Sequence, residues 1–142
     1  MNYRDLLDRK LVEEYRVTPD EINAILEAAK SDIKTAQGLL NSDVCWAFNI
    51  AYNSLLQAGI ALMHSKGYRP IGEAKHVAVI LFLKKAMGKN YEVNLDRLNQ
   101  MRRRRNKAVY GILRDITEYE AKDSVRFAAG FLNEVAKFIS ES

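Results

Sequence analysis

Between Val44 and Ser65 the chain reads VCWAFNIAYNSLLQAGIALMHS, an apolar run without a lysine, arginine or acid. A helix that is apolar on nearly every side has no face to give to water, so it has to sit centrally with other helices around it. Asn49, Asn53 and Gln57 interrupt the run, and nowhere does the chain reach the roughly 18 uninterrupted apolar residues of a membrane span. The rest of the sequence must therefore supply the cover. Its periodicity is helical almost throughout, and no alternating strand pattern persists.

The covering elements read as follows. A first helix is expected from Tyr3 to about Glu14, with Leu6, Leu7 and Leu11 on one side. Thr18-Pro19-Asp20-Glu21 predicts a capped start: Thr18 accepts from free backbone donors, Pro19 suits the first helical position, and Glu21 completes a capping box. That helix runs towards Leu40 and buries Ile22, Ile25, Leu26, Ala29, Ile33 and Ala36. Asn41-Ser42-Asp43 breaks the chain before the central helix. Gly67 ends the central helix, and Tyr68 to Gly72 makes a turn. A fourth helix is expected over Glu73 to Met87, stopping at Gly88. A fifth follows a cap at Asn94, with Gly111 kinking or ending it. The last, from about Glu118 to Ile139, presents Val125, Phe127, Ala128, Phe131, Leu132, Val135 and Phe138. The expected fold is all-α, an antiparallel bundle of about five to six helices, forming one domain over residues 1–142.

At 142 residues, 48% of them hydrophobic, the chain is long enough for one core. With Cys45 as its one cysteine it has no internal disulfide, which fits a reducing, cytoplasmic setting. The charged start MNYRDLLDRK shows no secretory leader pattern. His64 and His76, with Cys45, are too scattered for a metal site, and Gly67 and Gly72 do not form a phosphate-cradling loop. No metal or cofactor is expected.

Net charge is +4, but its distribution is uneven. From Arg97 to Arg114 the chain reads RLNQMRRRRNKAVYGILR, with no acid. One concentrated basic element suggests a local anionic partner such as a phosphate backbone, although a solvated helix face gives the same composition. A helical wheel separates these cations. Leu98, Met101, Val109 and Ile112 define the apolar face. Arg103, Arg104 and Lys107 point broadly into solvent, Arg102 sits at the edge, and Arg105 points nearly at the apolar centre. A guanidinium there is costly unless it is paired or faces a wet cleft or an interface. Arg102, Asn106 and Tyr110 share one flank at a spacing of four. They suit a phosphate with a neighbouring base or sugar; equally, Arg102 could meet an internal carboxylate while Tyr110 packs in the core. Asn49, Asn53 and Gln57 form a similar row, which either lines a polar crevice or bonds neighbouring helices.

Arg105-Asn106-Lys107-Ala108-Val109-Tyr110, preceded by Leu98 and Arg102, resembles the signature helix of HEPN domains, a family of helical nucleotide-binding bundles. The stretch AYNSLLQAGIALMHSKGYRP resembles the central helix and turn of some members. The resemblance spans roughly Ala47 to Tyr110. It implies an RNA- or nucleotide-binding protein, often a homodimer with two motif helices facing one cleft. It also implies a possible toxin–antitoxin or defence role beside a nucleotidyltransferase-type partner, which can modify tyrosines near the motif. In such a site Arg105 stabilises charge on a phosphate and Asn106 orients the motif. The family's usual catalytic histidine is replaced here by Tyr110, a poor general base at neutral pH because a phenol ordinarily titrates near 10. Weak or absent ribonuclease activity is the leading expectation. A metal-independent ribonuclease using Tyr110 or His76, and a non-catalytic protein-interaction module, are the alternatives.

Overall fold

The computed structural model describes residues 2–110 and 116–141, with the side chains of 107–110 left undescribed. In chain order the elements are α1 (Arg4–Asp8), β1 (Val12–Glu14), α2 (Pro19–Leu39), α3 (Val44–Ser65), β2 (Tyr68–Pro70), α4 (Lys75–Met87), a single 3-10 turn (Lys89–Tyr91), α5 (Glu92–Tyr110) and α6 (Glu118–Glu141). The bundle class read from periodicity is the one observed. None of the described helices is long and apolar enough to cross a membrane.

α3 holds the centre, packed by α2, α6, α4 and α5. Phe48, Tyr52, Leu55 and Leu62 on α3 are essentially inaccessible, each such burial contributing about 1.5–3 kcal/mol before entropy is charged against it. α2 covers α3 with Leu26, Ala29, Ile33 and Ala36, and α6 with Val125, Ala128, Phe131, Leu132 and Val135. Trp46 departs from the all-round burial expected of this helix and stays exposed. The start of α2 is set by the expected capping box: Thr18 Oγ1 accepts from the Glu21 amide at 3.2 Å, and Glu21 accepts in return from the Thr18 amide at 3.3 Å.

The first helix is shorter than its periodicity suggests. α1 ends at Asp8, and Lys10 adopts a left-handed φ of 56°. The Leu11 amide then donates to the Leu6 carbonyl, and the Lys10 amide to that of Leu7, both at 3.0 Å. This is a Schellman closure with lysine where glycine or asparagine usually stands, so its signal is absent from the residue types. The released segment becomes β1, paired antiparallel with β2 in the register Val12↔Pro70, Glu13↔Arg69, Glu14↔Tyr68. Arg69 Nε donates to Glu13 Oε1 at 2.6 Å across the pair.

Two boundaries also shift. α4 begins at Lys75 rather than Glu73, and its N-cap residue, Ala74, makes no side-chain cap. Asn94 does not cap α5, because the 3-10 turn feeds that helix from Glu92 and leaves Asn94 inside it. The helix–helix approach that matters most for the site lies between α3 and α4. A Cβ on Gly59 would stand 2.6 Å from Val79 Cγ1 and 3.1 Å from Leu83 Cδ1, so any larger residue would force these side chains to shift.

Candidate functional site

α5 presents Leu95, Leu98 and Met101 to the core. On the flank turned towards the start of α4, Arg102, Arg105 and Asn106 are half-buried. With Glu73, Ala74, His76 and Val77 they line a concavity of about 440 Å³. Arg102 Nε donates to Asn99 Oδ1 at 2.9 Å, a neutral partner one turn away. Arg105 places its guanidinium carbon 5.8 Å from the centroid of the Tyr52 ring. Among the described residues neither arginine pairs with a carboxylate. The internal carboxylate considered for Arg102 is not seen among the described residues, and Asp115 lies outside them.

Behind these arginines Tyr52 of α3 is buried, with its hydroxyl 3.1 Å from His76 Nδ1. Burial pushes the phenol up to about 12, against the opposing influence of Arg102 and Arg105. His76 is moved the other way: burial, then the Arg105 and Arg102 charges, hold its pKa below the ordinary value. The site therefore places a neutral imidazole beside two obligate cations. Ala74, His76 and Val77 put the positive end of α4 at this concavity, and among the described residues no side chain caps it.

The other cations divide between solvent and structure. Arg103 is exposed, as the wheel predicts. Arg104 is only partly solvated: its Nε and Nη2 donate to Glu120 at 2.8 and 3.0 Å, and both side chains are half-buried. The wheel failed here because it sets direction relative to one helix and is blind to α6 lying alongside. Arg97 likewise pairs with Asp123 and stacks over Phe127 at 4.5 Å. A larger concavity of about 640 Å³ lies along this α5–α6 seam. Its arginines already have carboxylate partners, so the smaller concavity is the stronger anion candidate despite its size.

The remaining predicted residues lie elsewhere. Asn49 turns back to the Cys45 carbonyl at 3.0 Å, Asn53 is exposed, and Gln57 donates to Asp32 of α2 at 3.0 Å. None of the three lines the cationic concavity. His64 packs against Tyr15 with ring centroids 5.2 Å apart, at the far end of α3. The Lys107 and Tyr110 side chains, and residues Gly111 and Arg114, lie outside what the structure describes. Among the described residues no three His, Cys, Asp or Glu side chains gather as a metal set. Sequence reasoning missed Tyr52, whose one visible signal was a phenol within an otherwise apolar helix.

A central apolar helix, a sheath of amphipathic helices and a concavity lined by guanidiniums that meet no carboxylate among the described residues together define a helical bundle with a cationic pocket. The family model described as HEPN domain matches residues 22–138, from α2 into α6, and the chain belongs to that family. No match was found among curated proteins or among solved structures.

Proposed function

We propose that the chain binds RNA or nucleotides at the concavity between α4 and α5, with weak or absent ribonuclease activity. The observation that carries this reading is the pair Arg102 and Arg105, which border one pocket without a carboxylate partner among the described residues. Guanidiniums in that state retain their fork of donors for a phosphate. Asn106 supplies an amide beside them, and Arg103 and Lys107 add attraction along the helix. HEPN membership supports the same reading. The proposal extends to a homodimer whose two α5 helices face a shared cleft. It would act in the cytoplasm as a toxin–antitoxin or defence component beside a nucleotidyltransferase-type partner.

Fluorescence anisotropy with a short labelled single-stranded RNA tests the binding. Association that weakens steeply with salt, and is lost in Arg105→Ala, is expected; salt-insensitive or absent binding contradicts it. One observation favours a second reading, a metal-independent ribonuclease: His76 shares the concavity with Arg105. The same RNA incubated with chelator and run on a denaturing gel decides that reading. Cleavage lost in Arg105→Ala supports it, and intact RNA removes it.

A further inference from the structure

His76 meets the concavity in a defined chemical state. Its Nδ1 is engaged by Tyr52, and its Nε2 has no partner among the described residues. The Tyr52 hydroxyl is buried and stays protonated, and its partner among the described residues is His76 Nδ1. Donation from Tyr52 to Nδ1 fixes the neutral tautomer with its hydrogen on Nε2. That N–H is then available to an oxygen in the pocket. If Nδ1 gains a proton the same contact survives with its direction reversed, because a phenol oxygen both donates and accepts.

Burial comes first in holding His76 neutral, and the groups facing it add to that. From α5 come Arg102 and Arg105; from α3 comes Tyr52, uncharged; Glu73, just before α4, lies on the same concavity. Two fixed positive charges, Arg105 and Arg102, join burial in opposing imidazolium. An anion seated between the arginines and His76 reverses that local sign. The imidazolium, repelled in the empty site, becomes a third cation around the bound charge.

We propose that His76 is the third ligand of a phosphodiester held by Arg102 and Arg105, and that it binds as imidazolium, so that one proton is taken up with the phosphate. The proton comes from solvent onto Nδ1, Tyr52 turns its hydroxyl to accept from it and gives up its own donor contact, a cost that the bound charge outweighs, and both imidazole N–H groups are then used. This deepens the nucleic-acid reading above and rests on it. Tyr52 is a positioning residue: it selects the tautomer of the empty site and supports the charged form of the filled one. Linkage sets the sign. A group whose pKa rises on binding makes binding stronger as pH falls, by up to ~10-fold per pH unit between its free and bound values.

The test uses the full chain and a hexauridylate with hydroxyl groups at both ends. Its diesters carry a constant charge from pH 5.5 to 8, so any pH dependence belongs to the protein. Affinity is measured across that range at fixed ionic strength, and the His76 ring is titrated by NMR with and without the oligonucleotide. Tighter binding at lower pH and a higher His76 pKa in the complex are expected. The dependence should flatten in His76→Gln and persist in His64→Gln. In Tyr52→Phe the free ring should lose its fixed tautomer, visible in the imidazole nitrogen shifts. Binding that is lost in Arg105→Ala yet pH-independent in the wild type, with His76 unshifted, overturns the third-ligand proposal and leaves the arginine site standing. Absence of binding at every pH overturns both.

Discussion

Neighbouring arginines on α5 do different work, and the difference is set by what each side chain meets. Arg103 is exposed, whereas Arg104 is tied through two donors to Glu120 of α6. Arg103→Ala is expected to lower RNA affinity and reduce the magnitude of the salt slope by about 0.7, the share of one phosphate contact on a single strand. Arg104→Ala should instead cost about 1–2 kcal/mol of stability in urea denaturation, intermediate between an exposed and a buried pair. It should leave the salt slope nearly unchanged. The reverse pattern would mean that Arg104 leaves Glu120 to meet the nucleic acid. Composition and spacing could show a basic run, but not this partition, because Glu120 belongs to another helix. The Tyr52–His76 contact was equally hidden: the two residues are 24 apart in sequence and meet only once α4 folds back on α3.

At the level of elements, the position of His76 depends on how closely α4 approaches α3. Gly59 permits that approach, since a methyl there would collide with Val79 and Leu83. Gly59→Ala gains up to ~1 kcal/mol of helix propensity but loses more to overpacking, about 1–3 kcal/mol. A lower urea midpoint and an altered His76 NMR signal are expected. Gly130→Ala on α6 is the control: nothing lies within 4 Å of the new methyl, so the propensity gain should appear as added stability. A stabilised Gly59→Ala would show that the two helices can separate without cost. Elements whose stability is local were legible in advance. The capping box of α2, the all-round apolar α3 and the amphipathic α6 carry their patterns within one stretch of chain. β1 was not, because it is defined by pairing with β2 far along the sequence, and a lysine closes the helix before it.

Across the whole molecule the two histidines couple the fold to acidity. Burial, with the Arg69 charge second, keeps His64 below its ordinary pKa, and its Nδ1 is buried without a partner among the described residues. His76 is lowered by burial and by Arg105 and Arg102. In the window between the lowered folded values and the ordinary one, the unfolded chain binds more protons than the folded chain. Stability therefore rises with pH there, and it is lost as pH falls through the ordinary histidine range near ~6.5. Urea midpoints should be lower at pH 5.5 than at pH 7.5, and His64→Phe should narrow that gap. An unchanged gap would place the acid sensitivity elsewhere.

The bundle as a whole gathers charge that its sequence carries in one run and then neutralises part of it. α6 takes up Arg97 and Arg104 through Asp123 and Glu120, while Arg102 and Arg105 remain around the concavity beside α4. This sorting is the central claim, and the salt dependence of RNA binding tests it most directly. Log affinity against log salt should be linear for the wild type, and Arg102→Ala/Arg105→Ala should weaken binding and flatten the slope by about 1.4, two contacts' worth on a single strand. A wild-type slope retained in that double variant, with affinity unchanged, would contradict it.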